Sequence, residues 1–136
     1  MKIIFILIAG LSLLNASFIK STDVVKDTIS KVEWQDKDLA APMKWQAAID
    51  YCHSSSLAGY NDWRLPNINE LKSIVSRVKY PAIVPEFTQI NSSSFWSSTT
   101  DLNENKQVWT IYFGEGTVSS SNKNYNYHVR CIRGGE

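Results

Sequence analysis

An α+β fold is predicted for this chain: an N-terminal β-hairpin, two helices, and a mostly antiparallel sheet on which they pack. Three patterns point to it. Two β-like runs flank a turn before residue 37, and apolar residues recur at helical spacing from Trp45 and again from Ile68. From residue 94 onward short β-like runs are separated by turn residues. The chain has 136 residues, enough for one globular domain and too few for two. Its 43% hydrophobic and 12% aromatic content, with five Trp, excludes long disorder.

The first segment stands apart. Met1-Lys2 is followed by an apolar run over residues 3–14, roughly 12 residues and too short to span a bilayer as a helix. The small residues Ala16 and Ser17 come next, so residues 1–17 read as a secretory signal peptide, leaving one domain over 18–136. The alternatives are an uncleaved anchor or a buried N-terminal strand. The chain carries 14 Lys+Arg against 13 Asp+Glu, and Lys2 leaves with the signal, so the mature domain is close to neutral. No global basic field draws it to nucleic acid or to anionic membranes. The expected location is extracytoplasmic, periplasmic or secreted, with no stable membrane span after signal cleavage.

The hairpin consists of Asp23-Val24-Val25-Lys26 and Lys31-Val32-Glu33-Trp34-Gln35, joined by Asp27-Thr28-Ile29-Ser30. Ala41-Pro42 introduces the first helix, whose inward face is Trp45, Ala48, Ile49, Cys52 and Leu57, with Gly59 as its stop. Asn67 with Glu70 three residues later forms a capping box for the second helix. Its buried stripe is Ile68, Leu71, Ile74, Val75 and Val78, and Pro81 and Pro85 end helical structure. Strands are expected over 94–99, 107–113, 117–118 and 127–132. Within 107–113 apolar residues fall on both faces, so both are covered. Trp34, Trp45 and Trp109 sit on periodic elements and read as core.

Two cysteines, Cys52 and Cys131, lie far apart in sequence. In an exported protein an even count favours a disulfide, and two cysteines allow one intramolecular pairing. Buried thiols are the alternative. A metal pair lacks ligands, since only His53 and His128 could join them and neither CxxC nor HxxxH spacing occurs.

Four motifs occur in order: Trp45, Ala48, Tyr51 and Cys52; Gly59-Tyr60-Asn61-Asp62-Trp63-Arg64-Leu65-Pro66-Asn67 with Glu70-Leu71; Phe95-Trp96-Ser97-Ser98-Thr99; and Val129-Arg130-Cys131-Ile132-Arg133. The series resembles the C-terminal domain family of the Legionella collagen-like adhesin, over roughly residues 24–134. That family looks related to C-type-lectin-like folds, in which a cysteine on the first helix bridges to one on the last strand. Cys52 and Cys131 match that placement. The resemblance implies an extracytoplasmic recognition module, and the adhesin for which the family is named binds sulfated glycosaminoglycans. This chain contains no Gly-X-Y repeat, so trimer-driven avidity is not implied. Its near-zero charge also makes a polyanion a less natural ligand.

Trp63-Arg64-Leu65-Pro66 with Glu70 admits two readings. Arg64 either grips a ligand carboxylate or sulfate beside the Trp63 face, or pairs with a nearby acid and locks the loop to the core. The second is preferred, so Trp63, Arg64, Pro66, Glu70 and Trp96 are assigned structural roles. Asn61 and Asp62 lack the sugar-and-calcium signatures of C-type lectins, and no Asp-rich cluster offers calcium its six to eight oxygens. No metal or other cofactor is expected. Neither a Gly-x-Ser-x-Gly turn nor a phosphate-cradling loop occurs, and a disulfide would remove the thiolate that a Cys52-His53 nucleophile needs. No catalytic residue is assigned, and an enzyme of unknown reaction is the least supported reading.

Binding is expected on the polar loops between the late strands, 101–106 and 122–126, because loops on a rigid sheet carry recognition. The ligand-binding candidates are Asn103, Lys106, Lys123, Asn124 and Tyr125. Their amides and aromatic face suit an extracellular glycan, with a surface protein as the alternative partner. The oligomeric state is not encoded in any of these motifs.

Overall fold

The computed structural model describes residues 17–135. The expected signal segment therefore lies outside the described residues except for Ser17, whose carbonyl accepts the Thr28 N–H at 2.9 Å. The fold is α+β, with two helices and two antiparallel sheets, and the expected N-terminal hairpin forms part of the first sheet.

The first sheet runs in the order β1 (Phe18–Lys20), β2 (Val24–Asp27), β3 (Glu33–Gln35) and β7 (Ile132–Arg133). The hairpin is β2 with β3, and Val25 faces Trp34 across it. Its connection tightens because the Asp27 carboxylate accepts the N–H groups of Ile29 and Ser30 at 2.8 and 3.2 Å, an Asx-type turn. β1 adds an edge strand that the sequence patterns did not predict, with Ile19 opposite Lys26. β7 closes the far side by pairing Ile132 with Trp34.

The second sheet is β4 (Ser94–Thr100), β5 (Gln107–Tyr112) and β6 (Thr117–Asn122). Helix α2 (Ile68–Ser73) packs on β4 and β5, and α1 (Trp45–His53) packs on β4. The sheet lies between two cores. On one side Phe95, Ile111 and Phe113 meet Trp34, Leu71, Ile74 and Phe87. On the other, Trp96 and Val108 meet Ala48, Cys52, Trp63 and Val129. Coverage of both faces of β5 follows, although Trp109 is only half-buried and Tyr112 is exposed.

The disulfide joins Cys52 on α1 to Cys131, the residue before β7, with Cα atoms 5.5 Å apart across a sequence separation of 79. Both cysteines are buried. The capping box on α2 is present: Asn67 Oδ1 accepts the Glu70 N–H at 2.8 Å, and Glu70 Oε1 accepts the Asn67 N–H at 2.9 Å.

Several boundaries differ from expectation. α1 stops at His53, and Leu57–Gly59 forms a separate 3-10 turn, because the Ser55 hydroxyl takes the Leu57 N–H at 3.2 Å and breaks the helical ladder. α2 ends at Ser73, and Val78 is 98% exposed instead of lying in the buried stripe. The final strand is only Ile132–Arg133. Upstream of it, Tyr127 bridges Met43 and His128 bridges Phe95, two isolated pairings with different partners. β6 is longer than the two residues expected, since its serines pair in register along the whole of β5. Trp45 is half-buried, so it is not a full core residue.

Candidate functional site

Asp101 and Asn122 organise the two candidate loops from their ends. The Asp101 carboxylate accepts the Ser120 hydroxyl at 2.7 Å and the Asn103 N–H at 3.0 Å. These bonds, the Ser120 hydroxyl foremost, hold its carboxyl below the usual carboxylate range. Asn122 Oδ1 accepts the Asn124 N–H at 2.9 Å, and its carbonyl accepts the Tyr125 N–H at 3.1 Å. The loops then join, because the Lys123 N–H donates to the Lys106 carbonyl at 3.2 Å and Lys123 Nζ donates to the Asn105 carbonyl at 3.3 Å.

An aromatic wall stands beside this junction. Lys123 Nζ lies 4.7 Å above the Trp45 ring centroid, a cation–π arrangement. Tyr125 is 56% exposed and meets Tyr127 edge-on at 5.9 Å, and Tyr127 in turn lies 4.8 Å from Trp96. The structure thus joins the two loops at Lys106 and Lys123, with Lys123 over Trp45 and Tyr125 against Tyr127, while Asn103 and Asn124 lie within the same loops. Among the described residues the side chains of Asn103, Lys106 and Asn124 make no hydrogen bond or ion pair, which leaves them available to a ligand.

Trp45 and Tyr127 belong to this face and were not predicted there. Trp45 obeys the helical period of a core residue, and only its position at the first turn of α1, with its N–H on the Lys123 carbonyl at 3.2 Å, brings its ring to the loops. Tyr127 sits in a segment expected to be regular strand.

The Trp63-Arg64-Leu65-Pro66 segment is a buckle between α2 and the chain terminus. Trp63 is buried and its indole N–H donates to the Leu57 carbonyl at 3.0 Å. Arg64 pairs its backbone with Ile132 in both directions, at 2.8 and 2.9 Å. Its guanidinium grips Glu70 with two bonds of 2.7 Å and the Gly134 carbonyl at 2.8 Å. The Pro66 carbonyl accepts the Ser98 N–H at 2.8 Å. Trp96 is fully buried with its indole N–H on the Met43 carbonyl at 2.7 Å. Arg64 therefore spends its fork inside the protein.

Burial pushes the Glu70 carboxyl up, but the Arg64 and Asn67 hydrogen bonds and the Arg64 charge outweigh it and leave the group below its ordinary value. A carboxyl with a lowered folded-state pKa contributes stability above its unfolded value and loses it as pH falls through the folded one. Glu70→Gln is expected to cost about 1–2 kcal/mol at neutral pH, the range for a charge-assisted pair. The difference from the parent protein should narrow as pH falls below the unfolded carboxylate value and disappear only as it passes through the lower folded one. Urea midpoints followed from about pH 7 down to about pH 2 check both statements.

Among the described residues no three His, Cys, Asp or Glu side chains come together to hold a metal ion. No described helix is long and apolar enough to cross a membrane. Compared with known families, the chain matches the model described as the Lcl C-terminal domain over residues 23–133. No curated protein matches it.

Proposed function

From the premise that this chain belongs to the Lcl C-terminal domain family, we propose that it is a non-catalytic, adhesin-like recognition module. It takes a glycan on the face built from residues 101–106 and 122–127. The observation that carries the reading is the joining of two polar loops that hold the Lys123 ammonium over the Trp45 ring and expose the Tyr125 ring, with Lys106 and the unengaged amides of Asn103 and Asn124 in the same loops. A sugar needs an aromatic surface for its C–H face and polar groups for its hydroxyls, and this face offers both. The disulfide is what an oxidising compartment permits, so the site of action is periplasmic or extracellular. Binding requires no metal.

A surface protein is the second reading, favoured by Leu102, which is 95% exposed within the same loop. A protein partner would cover that side chain, whereas a glycan gains little from it.

Tyr125→Ala and Lys123→Ala are each expected to weaken glycan binding at least about tenfold, as loss of a principal contact does. The thermal midpoint should stay within about 3 °C of the parent, as for surface substitutions. Unchanged binding in both variants would remove the glycan from this face. Binding that weakens as salt is raised marks a charged sugar, and salt-independent binding marks a neutral one.

A further inference from the structure

The connection between α2 and β4 carries a feature unrelated to the recognition face. Its base is pinned: the Ser76 N–H donates to the Ala82 carbonyl at 3.0 Å, the Ala82 N–H donates to the Phe113 carbonyl at 2.7 Å, and Val75 bridges Ile83. Between these pins projects the tip Arg77-Val78-Lys79-Tyr80. Val78 is 98% exposed and Tyr80 73%. Arg77 and Lys79 are exposed, and among the described residues no acid pairs with either. Lys72, on the last turn of α2 leading into the loop, is likewise exposed and unpaired. A near-neutral domain thus concentrates unpaired positive charge around an apolar side chain on a fixed loop.

We infer that this tip is a peripheral docking site for an anionic lipid bilayer. Three features favour a bilayer over any other anionic partner. Arg77 and Lys79 complement anionic headgroups. Tyr80 suits the headgroup boundary, where aromatic rings with a polar end collect. Val78 enters the acyl boundary between the two cations. A soluble polyanion would pair with the cations and leave Val78 in water, so it accounts for only part of the tip.

The placement is also suited to the task. β5 runs from Gln107, beside the 101–106 loop, to Tyr112, beside Phe113, to which the tip's base is bonded. A strand of six residues spans roughly 20 Å, so docking and recognition occupy opposite ends of the sheet. A domain resting on a bilayer by the tip turns its glycan face away from the lipid. The docking site does not depend on the glycan reading.

Vesicle co-sedimentation of the full chain tests the inference, using phosphatidylcholine vesicles with and without phosphatidylserine. Neutral vesicles register whatever other segments contribute, including apolar residues 3–14. The expected result is tighter binding to the anionic vesicles, lost at high salt. Charge reversal in the double variant Arg77→Glu, Lys79→Glu should abolish this preference, a loss of about twentyfold or more at roughly fivefold for each cation. Val78→Ser should lower anionic-vesicle binding several-fold while leaving retention on heparin, a sulfated polysaccharide, unchanged. None of these side chains has a partner in the fold, so thermal midpoints should stay at the parent value. An anionic preference that survives the double variant places the contact elsewhere and overturns the inference. Sensitivity to the double variant without sensitivity to Val78→Ser also overturns it, because the tip then meets only negative charge and Val78 does not enter the acyl boundary.

Discussion

Asp36→Ala is expected to cost about 3–5 kcal/mol, the range for stranding a buried charge, and to lower the thermal midpoint by roughly 15 °C. Asp36 lies just beyond β3, with its side chain fully buried, and five donors converge on it. Lys20 reaches it at 2.6 Å and Arg130 at 3.3 Å. The Thr88 hydroxyl and the N–H groups of Thr88 and Gln89 reach it at 2.8–3.1 Å. Arg130 is 1% exposed, lies 4.5 Å above the Phe87 ring, and donates to the carbonyls of Gln35 and Gln89. Burial pulls its pKa down to about 10, with Asp36 opposing the fall, so it remains charged at neutral pH. Removing Asp36 leaves that cation buried without its acid. Arg130→Met should cost less, because Asp36 keeps Lys20 and its loop donors while Met fills part of the vacated volume. Chemical denaturation of both variants checks the order. Equal losses, or a larger loss for Arg130→Met, would show that the cation and not the carboxylate holds the network together.

The same group sets an acid limit. Burial acts to raise the Asp36 carboxyl, but Lys20, then Thr88 and Gln89, outweigh it and hold the group below the usual carboxylate range. Its contribution is therefore complete above the unfolded carboxylate value and is lost as pH falls through the lower folded one. Midpoints measured from pH 6 down to pH 2 should drop below about pH 4 in the parent. They should depend less on pH in Asp36→Ala.

Opening the disulfide should have an effect of similar size. In the chain-entropy model a loop of 79 residues adds about 4 kcal/mol by restricting the unfolded chain, which corresponds to a midpoint loss of roughly 15 °C at this length. The bridge also ties α1 to the segment entering β7, and both cysteines lie in the core with Trp63 and Trp96. The double variant Cys52→Ala, Cys131→Ala tests this by thermal melting against the oxidised parent. A reduced parent should melt with the variant. A variant that melts with the oxidised parent would show that packing alone secures this end of the fold.

Local patterns made much of this architecture legible. The Asp27 turn, the Asn67–Glu70 cap and the alternation along β5 are written in neighbouring residues, and each is present. Features made by distant partners were not. β1 is a strand because Phe18 finds Asp27 and Lys20 finds Val25, and nothing within Phe18–Lys20 announces it. The segment before β7 alternates plausibly, yet its backbone goes to Met43 and to β4 in separate single bridges, so no regular strand forms there. Asp36 and Arg130 are an ordinary loop acid and a motif arginine in the sequence. Only the approach of residues 88–89 and β3 makes them a buried pair. In the proposed recognition face the two loops were legible from composition, whereas Trp45 was masked by a helical period that fits a core residue equally well.

Recognition through the 101–106 and 122–126 loops is tested most directly by a glycan array on the oxidised protein, run with calcium and again with EDTA. The expected result is a restricted set of bound glycans, the same in both conditions, that disappears in Tyr125→Ala. A blank array from a protein shown to be folded and disulfide-bonded would contradict the glycan reading. Binding that EDTA abolishes would contradict the metal-free site.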